Sequence, residues 1–79
     1  MPQPSILIVD DELLIRDLLY DFFTGQGWDT AIADSGEKAL EILQRRSVDL
    51  VLADIRMPGI DGLELTAELR ELRPGLPVV

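Results

Sequence analysis

Val51-Leu52-Ala53-Asp54-Ile55-Arg56-Met57-Pro58-Gly59-Ile60-Asp61-Gly62 is an apolar run that ends abruptly in a carboxylate and passes into a Pro-Gly turn. Read as a buried strand, it leaves Asp54 at its carboxyl end, at the mouth of a sheet. An earlier run, Ile6-Leu7-Ile8-Val9, ends the same way in Asp10-Asp11. Two strands therefore deliver three acids to one edge, and the fold has to explain that convergence.

The segments around these runs alternate in period. Met1 to Pro4 is an extended leader, because its alternate prolines restrict the preceding residues and remove ladder donors. Ser5 to Val9 forms strand 1. From Glu12 the period becomes helical: Ile15, Leu18, Leu19, Phe22 and Phe23 fall at i, i+3, i+4, i+7 and i+8, one face of a helix, and Phe22 and Phe23 are expected to be core. Gly25-Gln26-Gly27 stops this first helix, with Trp28 capping its exit. Thr30 to Ala33 is a short second strand suited to an edge. Ser35 is the expected N-cap of helix 2, whose buried stripe is Ala39, Leu40 and Leu43 and whose last turn carries Arg45 and Arg46. Leu50 to Ala53 is strand 3. Leu65, Leu69 and Leu72 mark helix 3, closed by Pro74-Gly75, and Leu76 to Val79 opens a strand 4. Lys38 and the arginines at 45, 46, 70 and 73 are expected on solvated helix faces.

Strands alternating with helices predict an α/β fold with a parallel sheet. With strand 2 on one side of strand 1 and strand 3 on the other, right-handed crossovers put helices 1 and 2 on opposite faces. The strand order is then 2-1-3-4, and its reversal at strand 1 is a switch point. Ligands of open α/β sheets bind outside the carboxyl strand ends at such a point, where Asp10, Asp11 and Asp54 meet.

Composition removes several function classes. Seventy-nine residues make one small domain, and 47% apolar with 28% charged residues is a globular rather than a disordered balance. Fifteen acids against seven bases give a net charge of −8, which repels phosphate backbones and anionic membranes, so neither nucleic acid nor a membrane is an expected direct partner. Without cysteine or histidine the chain offers neither a disulfide nor a thiolate or imidazole metal site. No signal-like leader or membrane-length apolar run is present, and a cytoplasmic setting is expected.

Ends of neighbouring parallel strands lie about 5 Å apart. Two carboxylates about 4 Å apart near a surface repel by roughly 4 kcal/mol at an effective dielectric of about 20. A bound proton, a lysine or a divalent cation must offset that repulsion, and oxygen-only ligands select a hard ion. Mg²⁺ is the expected ion, since it is commonly held by one or two carboxylates plus a substrate phosphate. A cation beside Asp54 would let the carboxylate attack phosphorus, so the pattern points to phosphoryl transfer. Taken alone, Asp10-Asp11 also fits a turn and helix N-cap, and Pro58-Gly59 and Asp61-Gly62 fit ordinary turns.

Ile6-Leu7-Ile8-Val9-Asp10-Asp11-Glu12, then Ser35-Gly36-Glu37-Lys38-Ala39-Leu40, then Asp54 to Gly62 resemble the receiver domain of two-component response regulators over nearly the whole chain. The resemblance implies a flavodoxin-like, doubly wound sheet and a phosphoryl group taken from a sensor histidine kinase. It also implies Asp54 as phosphoacceptor, Asp11 as a direct Mg²⁺ ligand, Asp10 acting through metal-bound water, and Arg56 lending its backbone carbonyl. The run Asp-Ile-Arg-Met-Pro-Gly further resembles receivers attached to sigma-54-type transcriptional activators. The resemblance implies a module that catalyses its own phosphotransfer and dephosphorylation without being an enzyme in the ordinary sense; the output domain or effector would be a separate partner. A phosphatase of the haloacid dehalogenase type also uses a strand-end aspartate but expects a second one two residues on, where this chain has Arg56.

The family's Ser or Thr after strand 4, its Lys after strand 5 and its aromatic switch residue would fall beyond Val79. Residues 1–79 are thus expected to be a partial receiver, incomplete after strand 4. Exposed apolar surface on the helix 1 face then predicts a homo-oligomer or an element-swapped assembly. The alternative function is a receiver fragment without phosphotransfer activity that serves as a folding or self-assembly unit.

Overall fold

A computed structural model of the chain describes residues 3–53 and 62–79, with side chains of the second segment described from residue 67 onward. The elements are β1 (Ser5–Val9), α1 (Leu13–Gly25), β2 (Asp29–Ala33), α2 (Gly36–Arg45), β3 (Leu50–Ala53) and α3 (Gly62–Leu72). The sheet is parallel with order β2-β1-β3. Pro77 to Val79 runs parallel to β3: Val51 N–H donates to Pro77 O at 2.9 Å, Val79 N–H to Val51 O at 2.8 Å and Ala53 N–H to Val79 O at 3.0 Å. The expected 2-1-3-4 order is therefore present, its fourth member as a bridge at Val78 rather than a full strand.

Alternation along β1 builds two faces. Leu7 and Val9 join Ala33, Ala39, Leu43, Val48, Val51 and Leu69 in one buried cluster beneath α2 and α3. Ile6 and Ile8, equally buried, belong to the opposite face, where α1 packs along β1 and β2. At the amino end of the sheet Asp49 fixes the β1–β3 register, its Oδ2 accepting from Ser5 N–H at 2.7 Å while its own N–H donates to Ser5 O at 2.8 Å. Ser35 caps α2, its Oγ accepting from Lys38 N–H at 3.1 Å.

The structure corrects the reading of α1. Leu19 and Phe23 are half-buried, but Ile15, Leu18 and Phe22 are exposed, Leu18 by 66%. The half-buried positions are Arg16, Leu19 and Phe23, spaced i, i+3, i+7, so the stripe that meets the sheet is rotated by one residue from the densest apolar pattern. β1 and β2 are the strands that α1 packs along, and they cover only part of so broad an apolar surface. Trp28 does close the helix exit, packing edge-on against Phe23 with ring centroids 5.8 Å apart. Gly27, at φ 93°, turns the chain there, which a side chain would resist.

Arg73 is the second correction. Rather than lying on a solvated face, its guanidinium is partly buried and donates to the Leu43 carbonyl at 2.8 Å. Leu43 lies in the last turn of α2, whose carbonyls lack intrahelical partners, so the contact satisfies one of them and ties α3 to α2. The other cations behave as expected: Lys38 and Arg45 lie beside Glu41, and Arg46 pairs with Asp29 at 2.9 Å, all substantially exposed. Leu65 lies outside the described side chains.

Candidate functional site

The register aligns Ala33, Val9 and Ala53 across the sheet, so all three strands end level. Each is followed in sequence by an aspartate: Asp34, Asp10 and Asp54. A parallel sheet cut off square in this way gathers negative charge along its carboxyl edge. Asp54, Arg56 and the Pro58-Gly59 and Asp61-Gly62 turns expected from the sequence fall wholly or partly on residues 54–61, which lie outside the described residues, so of the expected site the structure describes the ends of β1 and β3 and the acids that follow β1.

Asp10 is only 8% exposed and is held on three sides. Its N–H donates to Ala33 O at 3.1 Å, carrying the ladder one residue beyond β1. Its Oδ1 accepts from Glu12 N–H at 2.9 Å, and its carbonyl accepts from Arg16 Nη1 at 3.0 Å. The side-chain bond to the residue two places on is an Asx-type turn that swings the chain from strand into helix. Asp10 thus combines the capping use of the Asp-Asp pair with a buried place at the strand end; Glu12 is the N-cap by position but makes no side-chain cap bond. Asp11 is exposed beside it.

A cleft of about 210 Å³ opens beside this edge, lined by Arg16, Ile32, Ala33, Asp34 and Lys38. Arg16 and Asp34 had no place in the sequence-based site. Arg16 had a usable signal, since it sits on the same i, i+3, i+7 stripe as Leu19 and Phe23, where an apolar residue is expected. Asp34 had one too, as the third strand-end aspartate.

No group of three or more acids converges among the described residues. Asp10 and Asp11 supply oxygen donors only, and the chain has no cysteine or histidine to compete for a softer ion. One or two carboxylates completed by waters and a phosphate is an ordinary Mg²⁺ environment, so the residues present fit that ion.

The fold is that of a flavodoxin-like α/β domain, with strand-end acids along its carboxyl edge. A sequence-family model described as the response regulator receiver domain matches residues 6–79, and the chain belongs to that family. It is 40% identical to the transcriptional regulatory protein GlrR of Escherichia coli over 94% of this chain, and 42% identical to the DNA-binding transcriptional regulator NtrC of Klebsiella pneumoniae over 91%. Those matches span 17% and 15% of the relatives' own lengths. The response regulator TrrA of Thermotoga maritima, solved with Mg²⁺ and BeF, is 42% identical with a TM-score of 0.86 over 90% of this chain and 62% of its own. TrrA in complex with the histidine kinase ThkA superimposes with a TM-score of 0.90 at 39% identity, covering 96% of this chain and 66% of that one. The residues matched are those of the receiver domain of the response regulators.

Proposed function

We propose that this receiver takes a phosphoryl group from a sensor histidine kinase onto Asp54, with Mg²⁺ held by Asp10, Asp11, Asp54 and the Arg56 backbone carbonyl. The observation that carries the proposal is the level register of Val9 with Ala53, which ends β1 and β3 side by side immediately before Asp10 and Asp54. In the transfer an Asp54 carboxylate oxygen forms the new O–P bond as the P–N bond of a phosphohistidine breaks, and the leaving imidazole keeps the bonding pair. Bound Mg²⁺ would neutralise charge on the phosphoryl oxygens. Asp11, at the exposed end of the turn, would hold the ion directly, while Asp10, with Oδ1 engaged by Glu12 N–H, would act through water. The kinase as partner is supported by the ThkA–TrrA complex, and the ion by the Mg²⁺-bound TrrA. An output partner outside residues 1–79, of the sigma-54-activator type, is supported by the GlrR and NtrC matches. A cytoplasmic setting belongs to the same proposal; no helix among the described residues is long and apolar enough to cross a membrane.

Incubation with a small-molecule phosphodonor and Mg²⁺ is expected to add one phosphoryl group, detected by intact mass, that hydroxylamine removes as it does other carboxyl phosphates. Uptake that is unchanged by a chelator, or that resists hydroxylamine, would overturn the proposal.

The exposed α1 surface favours a second property, association with another copy of this chain, which is also what an inactive assembly fragment would show. Leu14 is 77% and Phe22 58% exposed, and with Leu18 they recur every fourth residue along one side of α1. At a net charge of −8, association should strengthen with salt, as screening reduces repulsion between copies. Light scattering is expected to show a mass that rises with protein and salt concentration. A compact monomer throughout would remove this reading.

A further inference from the structure

We infer that Arg16 is a positioning residue for the metal-binding acids, acting through the Asp10 backbone rather than by touching ion or phosphate. The inference rests on the proposed Mg²⁺ site. Arg16 is the only cation among the first 37 residues, and it occupies the sheet-facing stripe of α1, between the first turn of the helix and the end of β1. From there its Nη1 reaches back six residues to the Asp10 carbonyl at 3.0 Å, and its own N–H closes the first turn on Glu12 O at 2.9 Å. The side chain spans the turn that carries Asp10, Asp11 and Glu12.

That turn has little else to hold it. Glu12 makes no cap bond, Asp11 is exposed, and the Asp10 Oδ1 to Glu12 N–H bond keeps its geometry only while the Asp10 peptide keeps its orientation. Ala33 O fixes the Asp10 N–H from the β2 side, and Arg16 fixes the carbonyl from the α1 side. With both its N–H and its carbonyl pinned, Asp10 holds one orientation at the start of the turn that carries Asp11. Partners that orient ligands in this way are typically worth 10- to 100-fold in metal affinity.

The charge of Arg16 gives the inference a distinctive sign. A guanidinium near a divalent cation repels it, so deleting the charge should by Coulomb's law tighten Mg²⁺ binding. Deleting a tether should loosen it. Calorimetric titration of the 79-residue chain with Mg²⁺ alone is expected to show Arg16→Met binding about tenfold more weakly than wild type. Arg16→Lys, which keeps the charge but offers a single ammonium in place of a planar fork, should fall between them. In metal-free protein, amide hydrogen exchange at Glu12 should accelerate in Arg16→Met while that at Ile8 stays unchanged, separating a loosened turn from a loosened fold.

Mg²⁺ binding by Arg16→Met as tight as wild type, or tighter, would overturn the role of Arg16 and leave the magnesium site standing. Unchanged exchange at Glu12 would overturn it whatever the metal does. A wild-type chain that takes up no Mg²⁺ would instead bring down the magnesium reading itself, and this inference with it.

Discussion

Leu43→Ala should remove about 3 kcal/mol of stability, whereas Leu18→Ala should change it by no more than about 0.5 kcal/mol. Both leucines sit on helices whose sequence pattern marks them as core. Leu43 is fully buried among Leu7, Val9, Val51 and Leu69, so truncation loses its transfer energy and leaves a cavity between helices and sheet. Leu18 projects from α1 with most of its surface already in water. A domain of this size carries on the order of 4–12 kcal/mol in total, so the first change forfeits a large share of it. In urea the midpoint of Leu43→Ala should fall with an unchanged slope, and that of Leu18→Ala should stay near wild type. Equal losses would mean that α1 buries its Leu18 side and that the sheet-facing stripe is not Arg16, Leu19 and Phe23.

The contrast also shows what kind of information a short sequence carries. Strand runs of β-branched and leucine residues, the Ser35 cap and the glycines after α1 are local signals, and β1, β3 and the Ser35 cap fall where those signals place them, while β2 begins one residue earlier. Ala39 and Leu43 were legible as core because α2 is polar on its other side. α1 was not, because leucine, isoleucine and phenylalanine occupy so much of its circumference that periodicity marks no single buried line. Only the neighbouring strands settle the rotation, and they choose the line that contains an arginine.

For the candidate site, residue type and strand-end position single out Asp10 and Asp11, and the structure places Asp10 buried at the end of β1 with Asp11 exposed beside it. Their support was less visible. Arg16 acts on a carbonyl six residues back, and Arg73 on a carbonyl 30 residues back. Backbone acceptors leave no trace in side-chain chemistry, so a pattern search sees only two surface cations. The register that levels Val9 with both Ala33 and Ala53 is likewise a pairing property, and it adds Asp34 to the row of strand-end acids.

Asp54→Asn is the substitution with the largest expected effect on activity, a fall of phosphoryl uptake to background. Asn keeps the shape of the side chain and an amide oxygen but removes the anionic nucleophile, so no carboxyl phosphate can form at that position. The remaining acids do not substitute for it. Asp10 is nearly enclosed and spends Oδ1 on Glu12 N–H, while acids elsewhere on the surface lie away from the proposed Mg²⁺ site that would offset the charge of an incoming phosphoryl group. Intact-mass measurement of wild type and Asp54→Asn, side by side with a phosphodonor and Mg²⁺, tests this most directly. One phosphoryl group is expected on the wild type and none on the variant; an adduct on Asp54→Asn at the wild-type level would contradict Asp54 as the phosphoacceptor.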